Sequence, residues 1–219
     1  MKRLRWIIAA ACILAAGCAG IFIYSHLQYD SSGRPPNRYL LRIEQVRSSS
    51  DKDGDGIDDQ TDILKSALAY VATKPKYMSK YYATGYPNDG YGVCTDVVAN
   101  ALKNSGYDIM NLIEADIAAH PGDYDIKVPD AKIDFRRVRN LKVYFRHTAI
   151  ALTTDVKQIK QWQGGDIVIF HDHIGIVSDR RNIKGIPYVI HHSGVLQVSY
   201  EQDILEGSKD IEGHYRVSE

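Results

Sequence analysis

Apolar positions along the chain follow two different periods, and the change from one to the other divides it. Ile63, Leu64, Ala67, Leu68 and Val71 recur at helical spacing in "TDILKSALAYVAT", as do Val97, Val98, Ala101 and Leu102 in "TDVVANALKNSG", where Gly106 is the stop signal. A third helix is expected in "IDFRRVRNLKVYFRH", with Asp134 as its cap, Val138, Leu141 and Phe145 on its inner face and the arginines solvated. Beyond residue 164 the runs become short and β-branched: "GDIVIF", "HIGIVSD", "PYVIHHS" and "VLQVSY", each bounded by turn residues. Helices first and strands second predict an α+β fold in which N-terminal helices pack on a C-terminal antiparallel sheet.

Ahead of this domain the pattern is of another kind. Lys2, Arg3 and Arg5 precede an uncharged apolar run over residues 6–24, about as long as one membrane-crossing helix. Positive charge on the N-terminal side keeps that end in the cytoplasm and sends the rest outside. Residues 1–25 are therefore expected to be a membrane anchor, with a cleaved signal peptide, or lipidation at Cys18 in "LAAGC", as alternatives. Each of these exports the domain. Residues 26–50, with "SSGRPPN" and "RSSSDKDGDG" near their two ends, read as a polar tether holding one short helix, "RYLLRIEQV"; the folded domain is expected over residues 51–219.

In 219 residues, 27 Lys and Arg balance 27 Asp and Glu, and no basic block interleaves with aromatics, which argues against a nucleic-acid partner. Two of the three cysteines, Cys12 and Cys18, lie in the apolar run. Cys94 is left without a partner in the exported part, and an unpaired thiol in an oxidising compartment calls for a reason.

That reason is chemical. Cys94 stands where a helix should begin, and a helix N-terminus beside an imidazolium favours the thiolate. His173, which opens "HIGIVSD", is the candidate base, and either His191 or His192 can orient it, since neighbours in a strand point to opposite faces. Nucleophile, base and orienter then come from three separate elements, the logic of a cysteine hydrolase.

The motifs "GVCTDVV", "IDFRRVRNL", "GDIV", "HIGIVSD" and "GHYR" make residues from about 51 to 216 resemble the uncharacterised bacterial DUF1287 family. The order and spacing of "GVCTDVVANAL", "WQGGDIVIFHDHIGIVSD" and "YVIHHSG" also resemble the NlpC/P60 group of papain-like cysteine peptidases. The second likeness implies a papain-like NlpC/P60-type fold. Its activity would be cleavage of amide bonds in cell-wall (peptidoglycan) peptides, without a catalytic cofactor. By position it makes Cys94 the nucleophile, His173 the base and His191 the orienter. It also implies a tyrosine upstream as a second oxyanion donor beside the Cys94 backbone N–H, for which Tyr82 and Tyr86 are candidates; His192 is grouped with them as substrate-binding. The chain departs from the group at Val93-Cys94-Thr95, where Asp-Cys-Ser is usual.

A separate motif, "DKDGDGIDDQTD" over residues 51–62, spaces Asp51, Asp53, Asp55, Asp59 and Asp62 as an EF-hand-like calcium loop does, with Gly56 at the turn and the Ile57 carbonyl available. A structural calcium ion is expected there; the alternative is a solvated acidic turn in which Asp62 caps the next helix. Two rival functions remain. One is a metal-dependent hydrolase built on His171, His173 and His191, with Asp179 near; the other is a wall-binding module with an unreactive Cys94.

Overall fold

The computed structural model describes residues 6, 10–20, 39, 42–197 and 199–219. Residues 10–20 are helical, and no helix among the described residues is long and apolar enough to cross a membrane. The rest of the expected anchor and most of the expected tether lie outside the described residues. Residues 42–46 are not helical, and Ile43 is buried. Gln163 Nε2 donates to the Glu44 carbonyl at 3.1 Å and Ser49 N–H to the Glu219 carbonyl at 2.5 Å. The packed unit therefore begins ahead of the boundary placed at residue 51.

Among the described residues of the domain, five α-helices precede the main sheet. The first, α1 (Asp59–Ala72), is capped by Asp58, whose carboxylate accepts the Thr61 N–H, so Asp62 lies inside the first turn instead of capping it. Then come α2 (Cys94–Asn104), α3 (Ile109–Ala119), α4 (Ala131–Asp134) and α5 (Val138–Thr148). Gly106 ends α2 with φ +83°, a conformation that favours glycine. The expected cap of α5 is corrected: Asp134 closes α4 and its carboxylate accepts the Asp130 N–H, while Phe135 and Arg136 turn inward before α5 starts.

The strands β1 (Lys76–Tyr77) and β2 (Tyr91–Gly92) make a short parallel strap. Six more strands, β3 (Ile150–Ala151), β4 (Ile167–Phe170), β5 (Ile174–Arg181), β6 (Pro187–Ile190), β7 (Glu201–Gln202) and β8 (Ile211–Arg216), form an antiparallel sheet in the order β3-β8-β4-β5-β6-β7. The expected strand "VLQVSY" is not one: residues 195 and 196 form a turn, and Val195 and Leu196 are exposed. The edge strand follows at Glu201.

Strand alternation divides the core in two. Ile167, Ile169, Ile174, Ile176 and Ile190 face α1 and α2, where Ile63, Ala67, Val97, Val98 and Leu102 meet them. Val168, Phe170, Val177 and Val189 face the other way, onto Trp162 and Leu205. Between "GDIV" and "GHYR" lies a fully buried charge, Asp166. It accepts from His214 Nε2 (3.0 Å), Arg216 Nε (2.9 Å), Gln60 Nε2 (2.9 Å) and the Gln163 N–H (2.8 Å), and Trp162 stacks on His214 with ring centroids 3.7 Å apart. These two motifs are thus joined in space as one structural brace. Removing one member of such a buried set leaves its partners uncompensated. Asp166→Ala is expected to lower unfolding free energy by about 3–5 kcal/mol in urea titrations, while a surface change such as Lys157→Ala stays within about 0.5 kcal/mol.

Candidate active site

The site is built from the start of α2. Val93, extended at φ −136° and ψ −175°, is the N-cap, and Cys94 is the first helical residue. Valine has no side-chain acceptor, so the helix is capped from inside: Asp96 Oδ2 accepts the Val93 N–H at 2.8 Å. Asp96 is fully buried, and Arg136 meets it with two bonds, Nε to Oδ1 at 2.6 Å and Nη2 to Oδ2 at 2.9 Å. The third arm of Arg136 donates to the Lys80 carbonyl at 2.7 Å, and its guanidinium lies 5.0 Å from the Tyr82 ring centroid. The arginine expected to be solvated is therefore an internal clamp on the helix that carries Cys94. Gly92 must lack a side chain, because a Cβ there would collide with the Tyr70 hydroxyl.

His173 closes the β4–β5 turn, where its carbonyl accepts the Phe170 N–H at 2.8 Å. The next backbone N–H, that of Ile174, approaches the Cys94 sulfur. On its other side His173 Nε2 is 2.8 Å from Nδ1 of His191, with the rings nearly perpendicular at 83°. His191 fits because residue 175 is glycine: a Cβ there would press on the His191 Cβ at 3.2 Å and collide with Val189. His192 turns to the opposite face, against the rings of Tyr77 at 5.2 Å and Tyr200 at 5.0 Å. The structure thus brings His173 to His191 and leaves His192 on the side of Asp96 and the tyrosines. Among the described residues no hydrogen bond joins Cys94 to His173.

Burial sets the charge state. It pushes the Cys94 thiol up to about 11, against the pull of the Ile174 and Thr95 N–H groups. It also pushes His173 down to about 4, against the pull of Asp210, and His191 down to about 3, where the neighbouring His173 adds to the effect. Near neutral pH the resting site therefore holds a thiol and neutral imidazoles. This differs from the thiolate beside an imidazolium expected from the helix start alone: desolvation outweighs the helix dipole.

The remaining candidates are dispersed. Tyr82 and Tyr86 are buried, with hydroxyls donating to Asp89 and Asp108, both at 2.8 Å. Tyr86 packs in the core against Phe135, so neither is a free oxyanion donor. His171 is exposed and held by Glu212 at 2.9 Å, and Asp179 lines a separate cleft with Arg181 and Gln163, so the His171, His173 and His191 metal site is not assembled. In the acidic loop, Asp51, Asp53 and Asp55 bring carboxylate oxygens within 4.8 Å of one another. Burial, and then the charges of Asp55 and Asp53, push the Asp62 carboxyl up. Asp59 has left the group: its oxygens accept from the Lys52 N–H at 2.7 Å and the Tyr107 hydroxyl at 2.5 Å. Sequence reasoning missed Arg136 as partner of Asp96, and it missed three orphans nearby. The Tyr70 hydroxyl, His191 Nε2 and His192 Nδ1 are buried without hydrogen-bond partners, and Tyr70 and His192 both feel the charge of Asp96. The signal available for the clamp was the position of Asp96 three residues after Val93.

Residues 64–217 match a family described as "Domain of unknown function (DUF1287)". A relative in Escherichia coli (strain K12), "Uncharacterized protein YijF", is 37% identical over 152 residues, an alignment that covers 65% of this chain and 72% of that protein. No solved structure matches.

The raised thiol has a direct readout. Below a pKa of about 11 the thiolate fraction grows tenfold per pH unit, so alkylation of Cys94 by iodoacetamide is expected to climb steadily from pH 6 to 9. A rate already level across that range would show a thiolate formed at rest.

Proposed function

The chain belongs to the DUF1287 family, and from that premise we propose that it is an exported thiol hydrolase that cleaves amide bonds in cell-wall peptides. The observation that carries the reading is the 2.8 Å contact between His173 and His191 directly beside the start of the helix that bears Cys94. Further support comes from the basic and apolar N-terminal segment, which suits attachment to the cytoplasmic membrane with the domain outside. The motif order also resembles that of NlpC/P60 peptidases, which would make the fold papain-like.

The proposed steps use both imidazoles and the helix start. With His191 Nδ1 accepting from His173 Nε2–H, the lone pair of His173 Nδ1 is free to take the thiol proton of Cys94 as sulfur attacks the amide carbon. Because both groups rest neutral, the proton moves during attack. The backbone N–H of Cys94, at the first helical position, has no acceptor within the helix and can donate to the oxyanion. His173 then returns the proton to the departing amine, leaving a thioester on Cys94. Water, deprotonated by His173, releases the acid. His191 fixes the tautomer and steadies the imidazolium without taking the proton itself. Catalysis needs no cofactor.

Digestion of purified peptidoglycan by the soluble part, followed by mass spectrometry of the fragments, tests the reading. The expected result is new amine and carboxylate ends in the stem peptides. Cys94→Ala is expected to abolish cleavage with folding retained, and His173→Ala to cost a hundredfold or more, on the order of a lost general base. His191→Ala should be clearly impaired and His192→Ala mild. Wild-type rates in Cys94→Ala would sink the assignment; greater damage from His192→Ala than from His191→Ala would move the orienter by one residue.

We also propose that the loop at 51–62 binds calcium through Asp51, Asp53, Asp55, Asp62 and the Ile57 carbonyl. A ligand that binds only the native state must stabilise it. Millimolar calcium is expected to raise the melting temperature, and Asp53→Ala with Asp55→Ala to remove the effect; identical melting curves in calcium and in chelator would end the claim.

A further inference from the structure

We propose that Asp116, His120 and His147 form a second, separate site, which binds a divalent transition metal of the zinc class. Asp116 and His120 lie at the end of α3 and His147 near the end of α5, elements that carry none of the residues assigned to amide cleavage. One ligand atom from each lies within 4.8 Å of the other two. His120 Nδ1 is 3.2 Å from Asp116 Oδ1, and His147 Nδ1 is 2.8 Å from Asp116 Oδ2. Tetrahedral zinc with bonds of about 2.0–2.1 Å sets its ligands roughly 3.3 Å apart, close to both histidine–carboxylate distances, and the two Nδ1 atoms lie within 4.8 Å of each other.

The groups around the cluster suit a metal. His147 faces a carboxylate at each ring nitrogen, Asp116 at Nδ1 and Asp123 at Nε2, the latter at 3.3 Å. A neutral imidazole has one N–H and can satisfy only one of them. His120 turns its own Nδ1 to the same Asp116, and the two rings are 4.8 Å apart, so both histidines present a ring nitrogen to one carboxylate. A single divalent ion at the two Nδ1 atoms replaces both protons. Asp123 then accepts from His147 Nε2–H, the carboxylate–histidine–metal arrangement that fixes a ligand's tautomer. Asp116 is nearly buried and also accepts the Tyr124 hydroxyl, which holds its carboxylate in place. Three protein ligands leave a fourth position for water or a substrate oxygen, as in sites where zinc takes part in chemistry.

The test uses the full chain, freed of metal, titrated with zinc by calorimetry and with cobalt(II) by visible absorption. The expected result is saturable binding of one ion with the visible bands of a low-coordinate cobalt site. His120→Ala, a half-exposed position that the fold does not need, and His147→Gln should each weaken binding at least about tenfold and abolish those bands, with circular dichroism unchanged. Asp123→Asn should weaken it less, through the second nitrogen of His147. Cys94→Ala, and Asp53→Ala with Asp55→Ala, should leave the cobalt spectrum as it is. No saturable binding in the wild type, or full binding in both histidine variants, would make the cluster an ion-pair network and overturn the proposal.

Discussion

The buried pair between Asp96 and Arg136 is the constraint on which the rest of the site depends. One carboxylate caps the helix that begins at Cys94, and one guanidinium ties it to the turn before α5 and to the Lys80 carbonyl. Both side chains are almost completely out of water, so each is tolerable only because the other is present. Two-point bonding by a planar guanidinium fixes direction as well as distance, which a lysine would not do. The position of the thiol is therefore inherited from a contact forty residues away in sequence.

Burial that makes this clamp necessary also decides the chemistry next to it. A thiol and two imidazoles placed in so dry a setting stay neutral at rest, and the favourable potential of a helix N-terminus does not overcome the cost of removing charge from water. In the reaction we propose, the thiol is therefore activated at the moment of attack, by proton transfer to His173. Gly175 and Gly92 serve the same end by letting His191 and Tyr70 close over backbone.

Much of the fold was legible because it rests on local periodicity. Val97, Val98, Ala101 and Leu102 point inward as their spacing predicts, and β4, β5 and β6 are antiparallel where β-branched runs stand. What failed depends on contacts distant in sequence. Asp134 looked like a helix cap because Asp is a good one; the burial of Phe135 and Arg136 delays the helix to Val138. "VLQVSY" looked like a strand, yet the bond from the Gln197 N–H to the Gly194 carbonyl bends it into a turn. In the site, strand alternation said that only one of His191 and His192 could reach His173, but it could not say which; the register of β6 against β5 places His191 there. Tyr82 and Tyr86 were chosen for their position in a loop, and their hydroxyls are taken by Asp89 and Asp108, which no sequence pattern announces. Asp59 was counted as a calcium ligand from spacing, and Tyr107, far along the chain, claims it instead.

The central claim is that Cys94 attacks and is acylated with His173 as its base. A peptide p-nitrophenyl ester tests it most directly, since its good leaving group makes acylation fast, so that deacylation limits turnover and the acyl-enzyme accumulates. Rapid mixing followed by acid quench and peptide mass spectrometry is predicted to show a burst of one nitrophenolate per chain, with the acyl group on Cys94, and no burst in His173→Ala. Turnover of the ester with the acyl group on another residue, or an undiminished burst in His173→Ala, would contradict the account.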